Sequence, residues 1–263
     1  MNMEAAITIF LPILSGLTYF LMALEVRRTG KYRALMFGEI GFRKLEFAFI
    51  LFGIYFITRP LQNILGPYPM PIVINSLRQF FLMGIIAPSI LTAIFHWVPT
   101  PSGAPRSSKF AAFAAAILIG LIFVLVNTMS SNSSKIVYDG FITMHDAVWF
   151  SDKTLPIQLM AIHLICQLVS PVGFFILSMA YIKHRRHNYQ LSNVYNLMTL
   201  KWKYLETSLL ILAASFVTAG IAAVFGRYYT YLWSIYFVGA IVSGFFGLKS
   251  IKIPPRSLPS DLA

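Results

Sequence analysis

The sequence predicts an all-α membrane protein that folds as a seven-transmembrane-helix bundle, and three observations predict it. Hydrophobic residues make up 57% of the 263 residues, whereas Asp, Glu, Lys and Arg make up only 11%. The mean hydropathy of +0.71 lies far above that of soluble domains. Seven stretches, each close to the roughly 20 apolar residues that a spanning helix needs, follow one another along the chain. These observations exclude a water-soluble globule.

The seven stretches differ in how sharply the sequence delimits them. Four of them contain no charged residue, the sixth being uncharged from Thr207 onward, and a fifth is uncharged and long enough to tilt or to kink at Pro171. The second and third carry charges near their ends. The predicted domain is residues 1–252, with spans at 5–24, 44–62, 72–97, 110–129, 157–182, 206–226 and 228–248, followed by a proline-rich cytoplasmic tail at 253–263.

Lysine and arginine residues predict which way the bundle faces. Six of them crowd the loop between the first two spans, from Arg27 to Lys44, and the positive-inside rule places such a loop in the cytoplasm. The loops on that side hold 16 of the 21 basic residues, and the opposite side holds five. We therefore expect the N-terminus outside and the C-terminus in the cytoplasm. The first span has no positively charged region before it, so we expect it to be retained rather than cleaved as a signal peptide.

One external segment, Ser130 to Thr154, is longer than the other predicted loops. It begins with a Ser/Asn-rich run and continues with the aromatic residues Tyr138, Phe141, Trp149 and Phe150. Aromatic side chains of this kind are typical of a lid or of an interfacial re-entry. Because we assign no strand and no soluble domain to any segment, the whole chain is predicted to be one helical bundle.

Polar residues near the predicted outer ends of the spans form the candidate ligand site. Charged groups within a membrane are costly unless they are paired or face a cavity, which makes them candidates for function. Arg78 is the sharpest case, because it lies about 9 to 10 Å outside the midpoint of its span and is followed by apolar residues. The alternative is that these arginines reach the outer headgroups or pair with aspartates of the outer loop. The candidate ligand-binding residues are Arg59, Asn63, Asn75, Arg78, Gln79, His163, Gln167 and Arg227.

Small residues and prolines within the spans predict how the helices pack. Stripes of Gly, Ala and Ser at intervals of four residues permit close approach of two helices, and we expect them to pack within the bundle. Each proline inside a span removes a backbone hydrogen bond and permits a kink. The stripes are Ala112, Ala116 and Gly120 in span 4 and Gly239, Ser243 and Gly247 in span 7, and the prolines are Pro12, Pro88 and Pro171.

The sequence contains no pattern that indicates catalysis or a bound metal. The histidine, cysteine and acidic residues lack the spacing of metal ligands, and neither a Ser/His/Asp arrangement nor a multi-histidine array is present. The last span carries no lysine near its middle, since Lys249 lies about ten residues from Gly239, and this speaks against opsin-like photochemistry. We expect no catalytic residue, no metal and no cofactor.

These observations favour a multi-pass protein of the cell membrane that acts as a sensor or receptor-like module. Its expected partners are the lipid bilayer, an anionic or polar small ligand in an outward-facing pocket, and a separate protein at the cytoplasmic face, since we find no effector domain in the sequence. The basic residues lie between apolar stretches, which speaks against nucleic acid. The alternatives are a small-solute transporter or channel, which requires polar groups at the bilayer midplane, and a noncatalytic subunit of a larger membrane complex.

Overall fold

Seven helical rods and one β-hairpin make up the part of the chain that the structure describes. The computed structural model describes residues 6–37, 39–64, 69–97, 106–138, 142–149, 157–190, 196–225 and 230–252. Two of the rods each consist of two helices joined by a π-helical turn, Leu82–Ile86 in one and Leu168–Gly173 in the other. The helices are α1 (Leu11–Phe37), α2 (Glu39–Ile64), α3 (Met70–Phe81), α4 (Ala87–Trp97), α5 (Arg106–Ser130), α6 (Ile157–Gln167), α7 (Phe174–Gln190), α8 (Asn196–Phe225) and α9 (Thr230–Lys252).

Five of the rods are long and apolar enough to cross a membrane, and they coincide with predicted spans 3 to 7. This confirms a helical membrane protein. Predicted span 1 falls on the π-helical turn Ala6–Phe10 and the first part of α1, and predicted span 2 lies within α2. Their crossing of a membrane stays a prediction. The five helices are Met70–Phe95, Lys109–Met129, Ala161–His184, Leu200–Ala222 and Tyr231–Lys252.

The predicted basic loop between the first two spans is helical almost throughout. α1 continues to Phe37 and α2 begins at Glu39, so both helices extend beyond the apolar stretches. The physical reason is composition, because this segment is rich in Arg, Lys, Glu, Ala, Leu and Met, which are strong helix formers. A polar segment after an apolar span therefore prolongs the helix here instead of ending it.

The seven rods form a closed ring in chain order. Each rod packs against the next one, and α9 packs against α1, which closes the ring. The α3/α4 rod lies deepest, because it also packs against α7 and 72% of its apolar window is buried, compared with 28% in Lys109–Met129. Two hydrogen bonds cross the closing contact, from Ser15 Oγ to the Phe237 carbonyl at 3.3 Å and from the Tyr19 hydroxyl to the Ala240 carbonyl at 3.4 Å.

Aromatic side chains fill the interior of this ring. Phe52 on α2 lies at the centre, with ring centroids 4.6 Å from Tyr19, 6.3 Å from Phe175 and 6.1 Å from Phe216. Tilted and edge-to-face contacts at these distances add to the packing energy of the buried rings. The aromatic layer, as we call this group, joins helices α1, α2, α7, α8 and α9 and consists of Tyr19, Phe52, Phe56, Phe175, Phe216 and Phe237.

Small residues allow the rods to approach closely, as the sequence predicts. On α5, Ala116 is fully buried, and a Cβ added at Gly120 would lie 3.1 Å from the Phe80 ring. On α9, Ser243 exchanges hydrogen bonds with Ser208 of α8, since each hydroxyl donates to the other residue's carbonyl at 2.8 Å. Both stripes therefore pack within the bundle.

A β-hairpin follows α5 where the sequence predicts an irregular lid. β1 (Ser131–Tyr138) and β2 (Ile142–Trp149) pair antiparallel, with Ser131 opposite Trp149. The prediction of no strand is wrong for this segment, because the two runs are rich in β-branched and aromatic residues and flank Asp139-Gly140, a pattern typical of hairpins. The hairpin packs against α2 and α3, and so covers one end of the bundle.

Candidate functional site

Arg78 lies inside the bundle. Its side chain is only 7% exposed and faces α2. Nε donates hydrogen bonds to the Tyr55 carbonyl and to Thr58 Oγ1, both at 3.1 Å, and Nη2 donates to the same carbonyl at 2.9 Å. The positive charge is therefore held by backbone and hydroxyl oxygens of the neighbouring helix.

The acceptors for Arg78 lie where α2 is locally perturbed. Pro60 stands inside α2 and has no N–H, so the carbonyl of Phe56 loses its hydrogen bond within the helix. Thr58 Oγ1 lies 2.8 Å from the Ile54 carbonyl and 3.0 Å from the Tyr55 carbonyl, and the Tyr55 carbonyl is the oxygen that Arg78 approaches. The acceptors for Arg78 therefore lie next to the Phe56 carbonyl that Pro60 leaves without its helical donor.

Aromatic and amide side chains surround the guanidinium. The Arg78 Cζ atom lies 4.6 Å from the centroid of the Tyr55 ring, within the range of a cation–π contact. The Tyr55 hydroxyl lies 3.5 Å from Gln79 Nε2 and 3.5 Å from the Tyr236 hydroxyl. These contacts connect α3, α2 and α9 in one polar group.

Arg59 extends this group toward the end of the bundle. Its Cζ atom lies 5.2 Å from the ring centroid of Trp233 on α9, and Trp233 in turn lies 6.0 Å from Tyr236. Two arginines from different helices are therefore set among tyrosine and tryptophan rings. We call this group the cationic cluster, and it consists of Tyr55, Thr58, Arg59, Arg78, Gln79, Trp233 and Tyr236.

His163 and Gln167 have different neighbours from Arg78. His163 is 3% exposed, and its ring centroid lies 4.6 Å from that of Phe123 on α5. The amide oxygen of Gln167 lies against Gly220 of α8, where an added Cβ would be 2.7 Å away. The described contacts therefore divide the predicted site residues into two groups, one facing α2 and one packed between α5 and α8.

The remaining predicted site residues are only partly described. Asn75 is half-buried on α3, next to the buried Ser76. Asn63 belongs to the last turn of α2, but its side chain lies outside the described residues, as does Arg227 altogether. Their contribution to a ligand site stays a prediction.

A buried polar pair that the sequence does not indicate lies on α3 and α5. Asn127, which is fully buried, donates from Nδ2 to Ser76 Oγ at 2.7 Å. The available signal was a single amide side chain at the end of an otherwise apolar span. The hydrogen-bond partner of this amide cannot be predicted unless the neighbouring rods are known.

A second feature lies deeper, where the two broken rods meet. In the α3/α4 rod the Ala87 N–H bonds to the Leu82 carbonyl, and continuing this π-helical pattern would pair residue 88 with Met83. Pro88 has no N–H to supply, and the Met83 carbonyl instead accepts a hydrogen bond from Ser170 Oγ at 2.8 Å. Ser170 reaches it because its backbone leaves the helical conformation, with φ −142° and ψ 117°.

All three prolines that the sequence marks as kink sites are associated with π-helical turns. Pro171 lies within Leu168–Gly173, Pro88 follows Leu82–Ile86, and Pro12 follows Ala6–Phe10. A kink is found at Pro171, where Ser170 leaves the helical conformation, whereas kinks at Pro12 and Pro88 stay predictions.

The described residues contain no group of three or more His, Cys, Asp or Glu side chains placed to hold a metal ion. The cationic cluster has donors and aromatic faces, which suit the binding of a carboxylate or phosphate rather than nucleophilic chemistry. Comparison with protein-family models and with curated protein sequences gave no match. A functional proposal for this chain therefore depends on its own residues and their contacts.

Proposed function

We propose that the chain is a sensor or receptor-like module that binds a small anionic or polar ligand at the cationic cluster and signals through a separate protein. The observation that carries this proposal is the buried guanidinium of Arg78, which connects three rods through α2 and α9. A ligand that competes for this guanidinium changes contacts between rods. Arginine is suited to this task because its planar fork binds carboxylate or phosphate with two hydrogen bonds.

The orientation is part of the proposal. We infer that all seven rods cross the cell membrane, with the N-terminus and the hairpin outside. Exposed basic residues at one end of the bundle support this, because the positive-inside rule places them in the cytoplasm. They are Arg27, Arg28, Arg43, Lys183, Lys203, Lys249 and Lys252.

The aromatic layer favours a receptor over a transporter or channel. A pathway for solutes requires polar groups through the depth of the bundle. In the described interior, Phe52, Phe175 and Phe216 instead pack against one another between α2, α7 and α8. Packed aromatic side chains would thus block the passage of a ligand from the cationic cluster through the bundle.

The broken rod provides a route from ligand to cytoplasmic face. Arg78 lies one turn before the π-helical turn Leu82–Ile86, whose Met83 carbonyl is bonded to Ser170 of the second broken rod. Below these turns, α4 and α7 pack together through Phe95 and Tyr181, with ring centroids 4.6 Å apart. A shift of α3 is therefore transmitted to two neighbouring cytoplasmic helix ends, where a separate protein would receive it.

Ligand binding at Arg78 is tested with purified protein in detergent. A panel of small carboxylates and phosphate esters is added, and the midpoint of thermal unfolding is followed. We expect at least one of these anions to stabilise the wild-type protein and to bind Arg78→Gln roughly tenfold or more weakly, as expected for a lost charge-assisted contact. The matched control is Arg28→Gln, which removes an exposed arginine at the opposite end of the bundle.

Two results would contradict the proposal. One is the absence of any anion effect on the wild-type protein across the panel. The other is an equal loss of binding in Arg28→Gln, since that would show a general effect of positive charge rather than a site.

The orientation is tested with single cysteines in a Cys166→Ala background. A cysteine at Asn132 should react with an impermeant thiol reagent in intact cells, and one at Arg43 should react only after the membrane is permeabilised. The reverse labelling pattern would refute the proposed orientation without bearing on the cationic cluster.

A further inference from the structure

The seam between α8 and α9 ends in a lysine that two aromatic rings hold in place. The ammonium of Lys249 lies 4.7 Å from the ring centroid of Phe245, one turn earlier on α9, and 5.7 Å from that of Tyr204 on α8. Both distances are within the range of cation–π contacts. The lysine side chain is thereby positioned at the junction of two helices.

Lysines outnumber carboxylates at this seam. Lys203, Lys249 and Lys252 are all exposed, and the acidic residue that the described parts of α8 and α9 contain is Glu206, three residues after Lys203. The carboxyl end of α9 offers only about half a negative charge to its lysines. A surplus of positive charge therefore remains at the seam.

The surface next to these lysines is apolar. Phe245 is 53% exposed and Leu200, on α8, is 40% exposed. Exposed apolar side chains directly beside lysines match a molecule that has both an anionic headgroup and hydrocarbon chains. An acidic soluble protein would match the lysines but would leave Phe245 facing lipid.

We propose that this seam is a binding site for the phosphate group of an anionic phospholipid. Lys249 is the principal contact, Lys252 and Lys203 supply additional positive charge, and the acyl chains pack along Phe245. Basic side chains between helices at the cytoplasmic surface are a recurrent way to bind lipid headgroups. The site is separate from the cationic cluster and depends on none of its residues.

Native mass spectrometry of the purified full chain tests the site. Phosphatidylglycerol or phosphatidylcholine with the same acyl chains is added, and the fraction of protein with one lipid bound is measured. We expect the wild-type protein to prefer phosphatidylglycerol, and Lys249→Gln to reduce that binding roughly fivefold. The matched control is Lys183→Gln, which changes an exposed lysine on α7 rather than on either seam helix, and it should leave binding unchanged.

Inorganic phosphate distinguishes a lipid from a free anion. Millimolar phosphate should fail to displace phosphatidylglycerol, because the acyl chains contribute to binding. Complete displacement would assign the site to free phosphate and overturn the lipid proposal. Equal binding of the two lipids, or equal losses in Lys249→Gln and Lys183→Gln, would overturn it as well.

Discussion

The guanidinium of Arg78 donates two hydrogen bonds to one acceptor, the backbone carbonyl oxygen of Tyr55, from Nε at 3.1 Å and from Nη2 at 2.9 Å. This contact fixes α3 against α2 at the level where the charge is buried. It requires the fork of an arginine, because one ammonium group cannot offer two separated N–H donors to the carbonyl while also contacting Thr58.

Arg78→Lys therefore tests the geometry of the contact apart from its charge. We expect a loss of about 1 to 3 kcal/mol in the free energy of unfolding, the range for a buried polar group left without its partner. Thermal unfolding in detergent measures the loss. Thr58→Val is the control, because it removes one of the three hydrogen bonds and should cost less. Wild-type stability in Arg78→Lys would show that charge alone matters.

Ser170→Ala should destabilise the protein by about 1 to 3 kcal/mol, because it leaves the buried Met83 carbonyl without the hydroxyl that donates to it. Ser178→Ala is matched in burial and in chemistry, but among the described residues the Ser178 hydroxyl bonds to the Phe174 carbonyl of its own helix, at 2.8 Å. We expect Ser178→Ala to change stability by less than about 0.5 kcal/mol. If the two substitutions lowered the unfolding midpoint equally, the hydrogen bond between the rods would contribute no more to stability than the bond within one helix, and the prediction would be wrong.

Gly16→Ala should destabilise the packing of α1 on α2. The added Cβ would lie 2.8 Å from the Gly53 carbonyl oxygen, a backbone atom that moves only if the whole helix moves. Overpacking of this kind costs about 1 to 3 kcal/mol. In Gly247→Ala the new methyl meets the end of the flexible Met22 side chain, which can rotate away, so the cost should be smaller. Comparison of the two unfolding midpoints checks the order, and the reverse order would contradict it.

The reciprocal bonds between Ser208 and Ser243 predict coupling in a double-mutant cycle. Each single substitution to Ala breaks the exchange, so the double variant should be less destabilised than the sum of the two singles. Interhelical hydrogen bonds in membranes contribute about 0.6 kcal/mol on average and up to about 1.7. Unfolding of the four proteins in the cycle gives the coupling energy directly, and a value of zero would contradict the prediction.

Much of the helical framework can be predicted from composition and periodicity. A stretch of about 20 apolar residues has few stable forms in a membrane, so the rods containing Phe110–Met129 and Tyr231–Leu248 follow from length alone. The burial of Arg78 follows from the cost of a lone charge among apolar residues. These predictions need no knowledge of which helices are neighbours.

Other features depend on neighbours and were missed for that reason. The Asn127–Ser76 and Ser170–Met83 bonds join residues 51 and 87 positions apart, and no local pattern pairs them. His163 and Arg78 share polarity and predicted depth, yet their contacts lie on different helices. The hairpin was missed for another reason. Its β-branched residues indicated strands, but its aromatic residues favoured the interpretation as a segment at the membrane interface.

The closed ring also sets an order of events during synthesis. The Tyr19 hydroxyl donates to the Ala240 carbonyl, which lies 221 residues later in the chain. At about 5 to 20 residues per second, that acceptor emerges from the ribosome roughly 10 to 40 s after its donor. Until then α1 packs against α2 but not against α9, so the ring closes last and the Tyr19 hydroxyl waits for its final acceptor.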